Sequence, residues 1–196
     1  MNTKLEDLLN IIYSSGLDYD TRNRSHEEKM LNITPDTGRF LSILVQSCNA
    51  KRILEIGTSN GYSTLWLAYA VSQIGGAVTT LEVSRNKREL AVENFKKSGL
   101  GTHIKPLLED ARSFLNKYQE GPFDFVFLDA ERPQYDQYWD GIDRVLKVKG
   151  LLVVDNAISP RPEELNVLKK LINDSGRYDS QLINIGKGEL LFLKIS

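Results

Sequence analysis

The sequence has a single cysteine, Cys48, and only two histidines, His26 and His103, in 196 residues. One thiol excludes an internal disulfide, and so few thiol and imidazole groups cannot build a zinc site, so a bound metal must be held by oxygen. Long apolar runs are missing too: the longest, Leu65-Trp66-Leu67-Ala68-Tyr69-Ala70-Val71, is less than half of the ~18 residues that a membrane span requires. No sign of charge prevails, because 25 Lys and Arg against 26 Asp and Glu leave a net charge of −1, too little for a global field that gathers nucleic acid or anionic lipid. The opening Met1-Asn2-Thr3-Lys4-Leu5-Glu6-Asp7 carries acids where a secretion signal needs bases and leads into no unbroken apolar stretch, so a cytoplasmic location is the expectation. No repeat, low-complexity tract or linker divides the chain. Its length suits one domain over 1–196, with N-terminal helices and a candidate lid in 1–50 and the core in 51–196.

What is present is an alternation of short apolar runs with helical patterns. Arg52-Ile53-Leu54-Glu55-Ile56-Gly57 reads as a strand ending in glycine, and 62–74 as a helix. The pair recurs in 77–83 with 85–98, 103–108 with 111–118, 123–128 with 136–147, and 150–154 with 163–173. Such alternation predicts an α/β fold, a mostly parallel sheet with helices on both faces. Two final strand-like runs, 178–185 and 189–195, are joined only by Gly186-Lys187-Gly188, which predicts a hairpin and hence one antiparallel strand. Ahead of the first strand, helices are expected over 4–14 and 36–48. Between them lies the polar stretch 18–29, whose Thr21-Arg22-Asn23-Arg24-Ser25 is the candidate lid. Cys48, on the apolar side of the second helix, is expected as a buried small hydrophobe.

Open α/β sheets bind ligands at the carboxyl ends of their strands. The first turn, Gly57-Thr58-Ser59-Asn60-Gly61, has the G-x-S-x-G spacing of a hydrolase nucleophile elbow. That chemistry needs a later acid and histidine. No Asp occurs between Gly61 and Thr102, and the one later histidine, His103, opens a strand at the far edge of the sheet, so Ser59 has no base to activate it. The dinucleotide fingerprint G-x-G-x-x-G is absent, and no Gly-Lys-Ser/Thr completes a P-loop. S-adenosylmethionine requires neither. Glu55 ends the first strand where a ligand ammonium would lie, Gly57 and Gly61 keep the backbone low, and Ser59 and Ser63 offer hydroxyls. Glu82, with Val83 beside it, ends the second strand and can accept both ribose hydroxyls, while Asp110-Ala111 after the third can take the adenine amino group and a ring nitrogen. Each acid alone reads more readily as a helix cap or a surface charge. Their common register at successive strand ends is what points to a ligand.

The fourth strand ends in Asp129 and the fifth in Asp155-Asn156. Two carboxylates and an amide carbonyl on neighbouring strand ends suit a hard cation such as Mg²⁺, with Mn²⁺ or Ca²⁺ as alternatives; helix capping accounts for the same residues equally well.

Taken together, Ile53-Leu54-Glu55-Ile56-Gly57-Thr58-Ser59-Asn60-Gly61-Tyr62-Ser63, Leu81-Glu82, Glu109-Asp110-Ala111, Phe123 to Ala130 and Val154-Asp155-Asn156 resemble the cation-dependent O-methyltransferases, the group that includes catechol and caffeoyl-CoA O-methyltransferases. The resemblance runs from about Leu31 to the terminal hairpin. It implies a Rossmann-like class I methyltransferase fold with a seven-stranded sheet whose last strand is reversed. It also implies direct methyl transfer from S-adenosylmethionine to a small vicinal-diol aromatic, with Asp129, Asp155 and Asn156 holding the metal, Tyr62 and Ser63 near the methionine end, and Glu82 on the ribose. By the same analogy a homodimer is expected, and a tRNA hydroxyuridine is an alternative acceptor, with Lys51-Arg52, Arg85-Lys87-Arg88 and Lys96-Lys97 as phosphate contacts.

The chain departs from the family at Asp129-Ala130-Glu131-Arg132, where relatives commonly carry Asp-Ala-Asp-Lys. The lysine often assigned as general base is thus an arginine, which cannot shed its proton. Arg132 is expected to act electrostatically, on a phenolate or an acidic substrate, or else to pair with Glu131 or another acid. A non-catalytic S-adenosylmethionine-binding protein is the alternative of another class, opposed by the intact metal ligands. The methionine that many relatives place beside the cofactor falls at Leu31, with Met30 one residue early. Tyr135, Tyr138 and Trp139 could stack on a planar acceptor, though their spacing favours a buried helix face.

Overall fold

In a computed structural model that describes residues 1–23, 25 and 27–196, strands and helices alternate as the sequence predicts. The elements are α1 (Thr3–Arg22), α2 (Pro35–Ser47), β1 (Arg52–Ile56), α3 (Tyr62–Ile74), β2 (Ala77–Glu82), α4 (Arg85–Ser98), β3 (Ile104–Leu108), α5 (Ala111–Lys117), β4 (Phe123–Leu128), α6 (Tyr135–Val145), β5 (Leu146–Val154), α7 (Asn166–Ser175), β6 (Tyr178–Ile183) and β7 (Glu189–Lys194). They form one seven-stranded sheet in the order β3-β2-β1-β4-β5-β7-β6. The first five strands are parallel, and β7, inserted between β5 and β6, is antiparallel to both.

Side chains alternate across a strand, and the central strands are buried on both faces, so each feeds two cores. Leu54, Ile56, Val126, Leu128, Leu152 and Val154 point to the side packed by α5, α6 and α7. Ile53, Phe125, Phe127 and Val153 point to the side packed by α1 to α4. The helices begin where short polar side chains cap their free N–H groups: Asn2, Thr34, Ser84 and Asp110 accept from the backbone of Leu5, Thr37, Lys87 and Ser113. At the sheet's other end Asp124 accepts from the N–H groups of Lys51 and Arg52, at 2.7 and 2.8 Å, fixing the entry of β1.

Three expectations need correction. Helix α1 does not stop near residue 14 but runs to Arg22, burying Leu5, Leu9, Ile12 and Gly16 at helical spacing, with the Asp18–Arg22 pair one turn apart in the polar part. Thr21 and Arg22 of the candidate lid are therefore helical, and Arg24 lies outside the described residues, as does His26. Helix α6 ends at Val145, and β5 starts at Leu146, ahead of an irregularity in its pairing with β4. Cys48 is exposed: the chain leaves the helix at this C-cap, so the apolar face ends with Val45. Among the described residues no helix is long and apolar enough to cross a membrane.

Candidate functional site

Strand alternation fixes which acids can meet. Position 55 shares a face with Ile53, the α3 side, and its cross-strand partner in β2 is Thr80. The Glu55 carboxylate is accordingly wholly buried and takes hydroxyl hydrogen bonds from Ser63 (2.6 Å), Thr64 (2.5 Å) and Thr80 (2.5 Å). Burial outweighs these donors and pushes its pKa up to about 7. Glu55 therefore lies beneath the first turn and does not line the cleft, which corrects the expectation that it meets a ligand ammonium directly; Ser63, which it holds, does line it.

The first turn is tied on three sides. The Ser59 N–H donates to Glu82 Oε2 at 2.8 Å, the Ser59 hydroxyl donates to the Met30 carbonyl at 2.8 Å, and Asn94 Nδ2 donates to the Asn60 carbonyl at 2.9 Å. Gly57 stands at φ 104°. A Cβ there would lie 2.0 Å from the Asp129 carbonyl oxygen, so only glycine lets the β1 and β4 ends approach this closely. Gly61, whose Cβ would strike the Phe95 ring, serves packing against α4 and is not part of the cleft wall. Ser59 has no imidazole near it: among the described residues the one histidine, His103, contacts the Gly76 carbonyl with Nδ1, near the start of β2 and away from the turn.

Between these strand ends and the segment 27–33 lies a cleft of about 600 Å³. Glu82 is its central acid; besides Ser59, the Ser84 N–H donates to its other oxygen at 2.8 Å, which leaves further lone pairs on both oxygens. Val83 is 70 % exposed at the cleft edge. Asp110 caps α5 with Oδ1, and Ala111 opens that helix, so its N–H has no partner within the helix. Tyr62 is buried against Tyr13 and Trp66 and borders the cleft with Ser63. Met30 and Leu31 both line it, held by Asp20, whose two oxygens accept their N–H groups at 2.6 and 2.9 Å.

At the other end, β4 and β5 bring Asp129, Asp155 and Asn156 together; Asp129 and Asn156 line the cleft, whereas Asp155 is buried beside them and does not border it. Asn156, at φ 62°, a conformation that asparagine tolerates better than most residues, donates from Nδ2 to Asp129 Oδ1 at 3.1 Å and to Asp155 Oδ2 at 2.6 Å. The Tyr135 hydroxyl pins the adjoining turn, donating to the Ala130 carbonyl and accepting from the Ala130 N–H, both at 2.8 Å. Burial and the nearby Asp155 charge raise the Asp129 pKa well above the carboxylate range. Among the described residues no three Asp, Glu, His or Cys side chains are arranged to hold a metal ion by themselves, so a candidate cation set here must include the Asn156 amide. Its chemistry fits a hard cation: two carboxylates and an amide, with no sulfur and no imidazole.

Arg132 reaches neither Asp129 nor Asp155. Its Nε lies 3.4 Å from Glu164 Oε2, and Nη1 donates to the carbonyls of Pro160 (2.5 Å) and Arg161 (3.0 Å). The guanidinium thus fastens the 160–164 segment to the cleft wall, with a side chain only 9 % exposed; of the two roles expected for it, pairing with an acid is the one this contact fulfils. Tyr135, Tyr138 and Trp139 are core residues as their spacing favoured, although the edge of Tyr138 borders the cleft. The basic pairs do not form one phosphate-binding face: Arg52 is bound to Tyr118 and Glu120 at the opposite end of β1, Lys87 donates to the Lys29 carbonyl beside the cleft, and Arg88 donates to the Pro106 carbonyl.

Two residues at this end are not legible as site residues from sequence motifs. Lys187, at the hairpin turn, lines the cleft with its charge felt at Asp129, and its carbonyl accepts from the N–H groups of Ile158 and Ser159. Glu189, wholly buried at the start of β7, accepts the Thr37 hydroxyl at 3.1 Å on Oε1, while Oε2 has no hydrogen-bond donor. Burial foremost, then the charge of Asp155, pushes its carboxyl far above the carboxylate range. The Gly-Lys-Gly turn was the only cue to either, and it signals a hairpin without saying which strand it will join.

Comparison with known proteins now has a site to refer to. Residues 16–195 match a family model described as O-methyltransferase. A catechol O-methyltransferase of Niastella koreensis is 37 % identical over 131 residues, 65 % of this chain and 59 % of that protein, so the match spans less than two thirds of the relative. A caffeoyl-CoA O-methyltransferase of Populus kitakamiensis is 30 % identical over 182 residues, 82 % of this chain and 77 % of that protein. Among solved structures, the O-methyltransferase from Bacillus cereus in complex with S-adenosylhomocysteine aligns with a TM-score of 0.78 at 26 % identity, over 99 % of this chain and 92 % of that one.

Proposed function

Since the chain belongs to the O-methyltransferase family, we propose that it transfers the methyl group of S-adenosylmethionine to one hydroxyl of a small vicinal-diol aromatic, assisted by a divalent cation at Asp129, Asp155 and Asn156. The observation that carries this reading is the junction of those three side chains, with Asp129 and Asn156 lining one end of a cleft and Asp155 buried beside them, while the other end presents Glu82, Val83 and Asp110.

In this reading Glu82 uses its remaining lone pairs on the ribose hydroxyls, held at the right height by the Ser59 and Ser84 N–H groups. Asp110 keeps Oδ1 on its helix and offers Oδ2 to the adenine amino group, while the Ala111 N–H faces a ring nitrogen and Val83 covers the ring. Ser63, donating to Glu55, presents its lone pairs to the methionine ammonium, so the buried carboxylate acts through it. Met30 and Leu31 close the cleft over the methyl donor and exclude water. Asp129, Asp155 and Asn156 would hold the divalent cation, which when bound would supply Lewis acidity to lower the pKa of the acceptor hydroxyl. Arg132 stays protonated and accepts no proton; it keeps the wall beside the acceptor in place.

Calorimetry tests this directly. Wild type should bind S-adenosylhomocysteine, and Mg²⁺ should then permit binding of a catechol. Asp155→Ala should lose the Mg²⁺ and catechol responses while keeping S-adenosylhomocysteine affinity within about threefold, because Asp155 does not border the nucleoside end of the cleft. Cofactor binding with no response to the cation would overturn the cation assignment, and no cofactor binding would overturn the reading of the first turn.

A further inference from the structure

The segment that follows Asn156 and the turn between β6 and β7 form one wall at the Asp129 end of the cleft. The Lys187 carbonyl accepts from the Ile158 and Ser159 N–H groups at 2.9 and 3.0 Å, and the Gly188 carbonyl accepts from the Ala157 N–H at 2.8 Å. Packing fixes the turn further: a Cβ on Gly186 would lie 2.2 Å from the Thr37 hydroxyl oxygen, and one on Gly188 would lie 2.5 Å from Ile158. The backbone of Lys187 is thus clamped on both sides, while its side chain is partly buried and borders the cleft. Among the described residues its ammonium group has no hydrogen bond and no ion pair. Asp129, which feels its charge, belongs to the cation set in the reading above.

Arg161 is the second cation of this wall. It stands at φ 57°, a left-handed conformation costly for arginine, and its carbonyl is held there by Arg132 Nη1 at 3.0 Å. Its half-exposed side chain borders the cleft, with Nη1 2.8 Å from Glu164 Oε1. Glu164 also pairs with Arg132, whose Nε lies 3.4 Å from Oε2. The one carboxylate of this wall that borders the cleft is therefore shared between two guanidinium groups, and Lys187 is left over. An ammonium group partly withdrawn from water without a counter-charge is costly unless a ligand supplies one.

We infer that Arg161 and Lys187 form an anion subsite for the methyl acceptor: the wall takes a carboxylate carried on an arm of the vicinal diol, so that the protein selects acidic catechols over neutral and cationic ones. The inference rests on the acceptor reading given above. Asn156, beside which the diol would lie, opens the stretch of chain that carries Arg161, so one short segment faces both ends of a small acceptor. A carboxylate suits this pair, because the guanidinium offers N–H groups in a plane and the lysine adds a mobile point charge.

The test is calorimetry on the protein saturated with S-adenosylhomocysteine and Mg²⁺, using three catechols whose short arms differ in charge: homoprotocatechuate (anionic), hydroxytyrosol (neutral) and dopamine (cationic). A methylene group separates each charge from the ring, which keeps the acidity of the hydroxyls similar. Homoprotocatechuate should bind about tenfold or more tighter than hydroxytyrosol, and dopamine should bind weakest. Arg161→Gln and Lys187→Gln should each cut that preference to about threefold or less, and the double variant should abolish it, whereas Lys187→Arg should keep it. Taking the ratio of affinities within each variant cancels any effect of Lys187 on the cation set. Equal affinities in the wild type overturn the inference and leave the acceptor reading standing. A preference that persists in the double variant comes from the bound cation and overturns the assignment to Arg161 and Lys187. If none of the three catechols binds, both readings fail.

Discussion

Glu55 titrates where most carboxyls have long been ionised. Its pKa of about 7, against an ordinary 4.5, comes from burial that three hydroxyl donors only partly offset. The folded protein therefore holds this proton more tightly than the unfolded chain does. The stabilising contribution is complete below about pH 4.5 and is lost as the pH rises towards 7, a change on the order of 3 kcal/mol. Glu55→Gln keeps the shape and removes the titration. The difference in unfolding free energy between variant and wild type should thus grow in favour of the variant from pH 5 to 8, measured by urea unfolding; an unchanged difference would mean that Glu55 is ionised throughout. The same residue illustrates what motif reading leaves out. A Glu at a strand end before Gly57 is visible in the sequence, but that it faces away from the cleft follows only from its parity with Ile53 and from Thr80 standing opposite.

At the scale of elements, the turn after β1 is the part with least tolerance. Gly57→Ala places a methyl group against the Asp129 backbone and strains a left-handed residue, so the β1 and β4 ends must separate. Destabilisation of about 2–4 kcal/mol in urea unfolding is expected, together with loss of S-adenosylhomocysteine binding under conditions where the variant is still folded. Full cofactor binding by a stable Gly57→Ala would contradict the account of this turn. Most elements were legible because apolar periodicity changes sharply between runs such as Phe123-Asp124-Phe125-Val126-Phe127-Leu128 and Tyr62 onward. The misreadings have local causes. The second half of α1 is polar outside its buried stripe and so resembles a loop, and β5 begins with Leu146-Lys147-Val148-Lys149, which continues a helical pattern until the pairing with β4 is known.

At the scale of the molecule, the cleft joins parts distant in the chain: segment 27–33, the ends of β1 to β5, the 160–164 wall and the hairpin turn at Lys187. The strand-end acids could be found from sequence because each follows its own apolar run. Arg132 and Glu189 could not be placed, since the partners of Arg132 lie 28 and more residues away and the neighbour of Glu189 depends on β7 slipping between β5 and β6. The strand order β3-β2-β1-β4-β5-β7-β6 is that of the class I methyltransferase fold and puts Glu82 and Asp110 at one half of the cleft and Asp129 and Asn156 at the other. The central claim, that these halves cooperate in cation-dependent methyl transfer, is tested most directly by incubating the protein with radiolabelled S-adenosylmethionine and a simple catechol, with Mg²⁺ or with excess chelator. Label should enter the catechol with Mg²⁺ and fall by at least about a hundredfold with chelator. Equal transfer under both conditions would contradict the account.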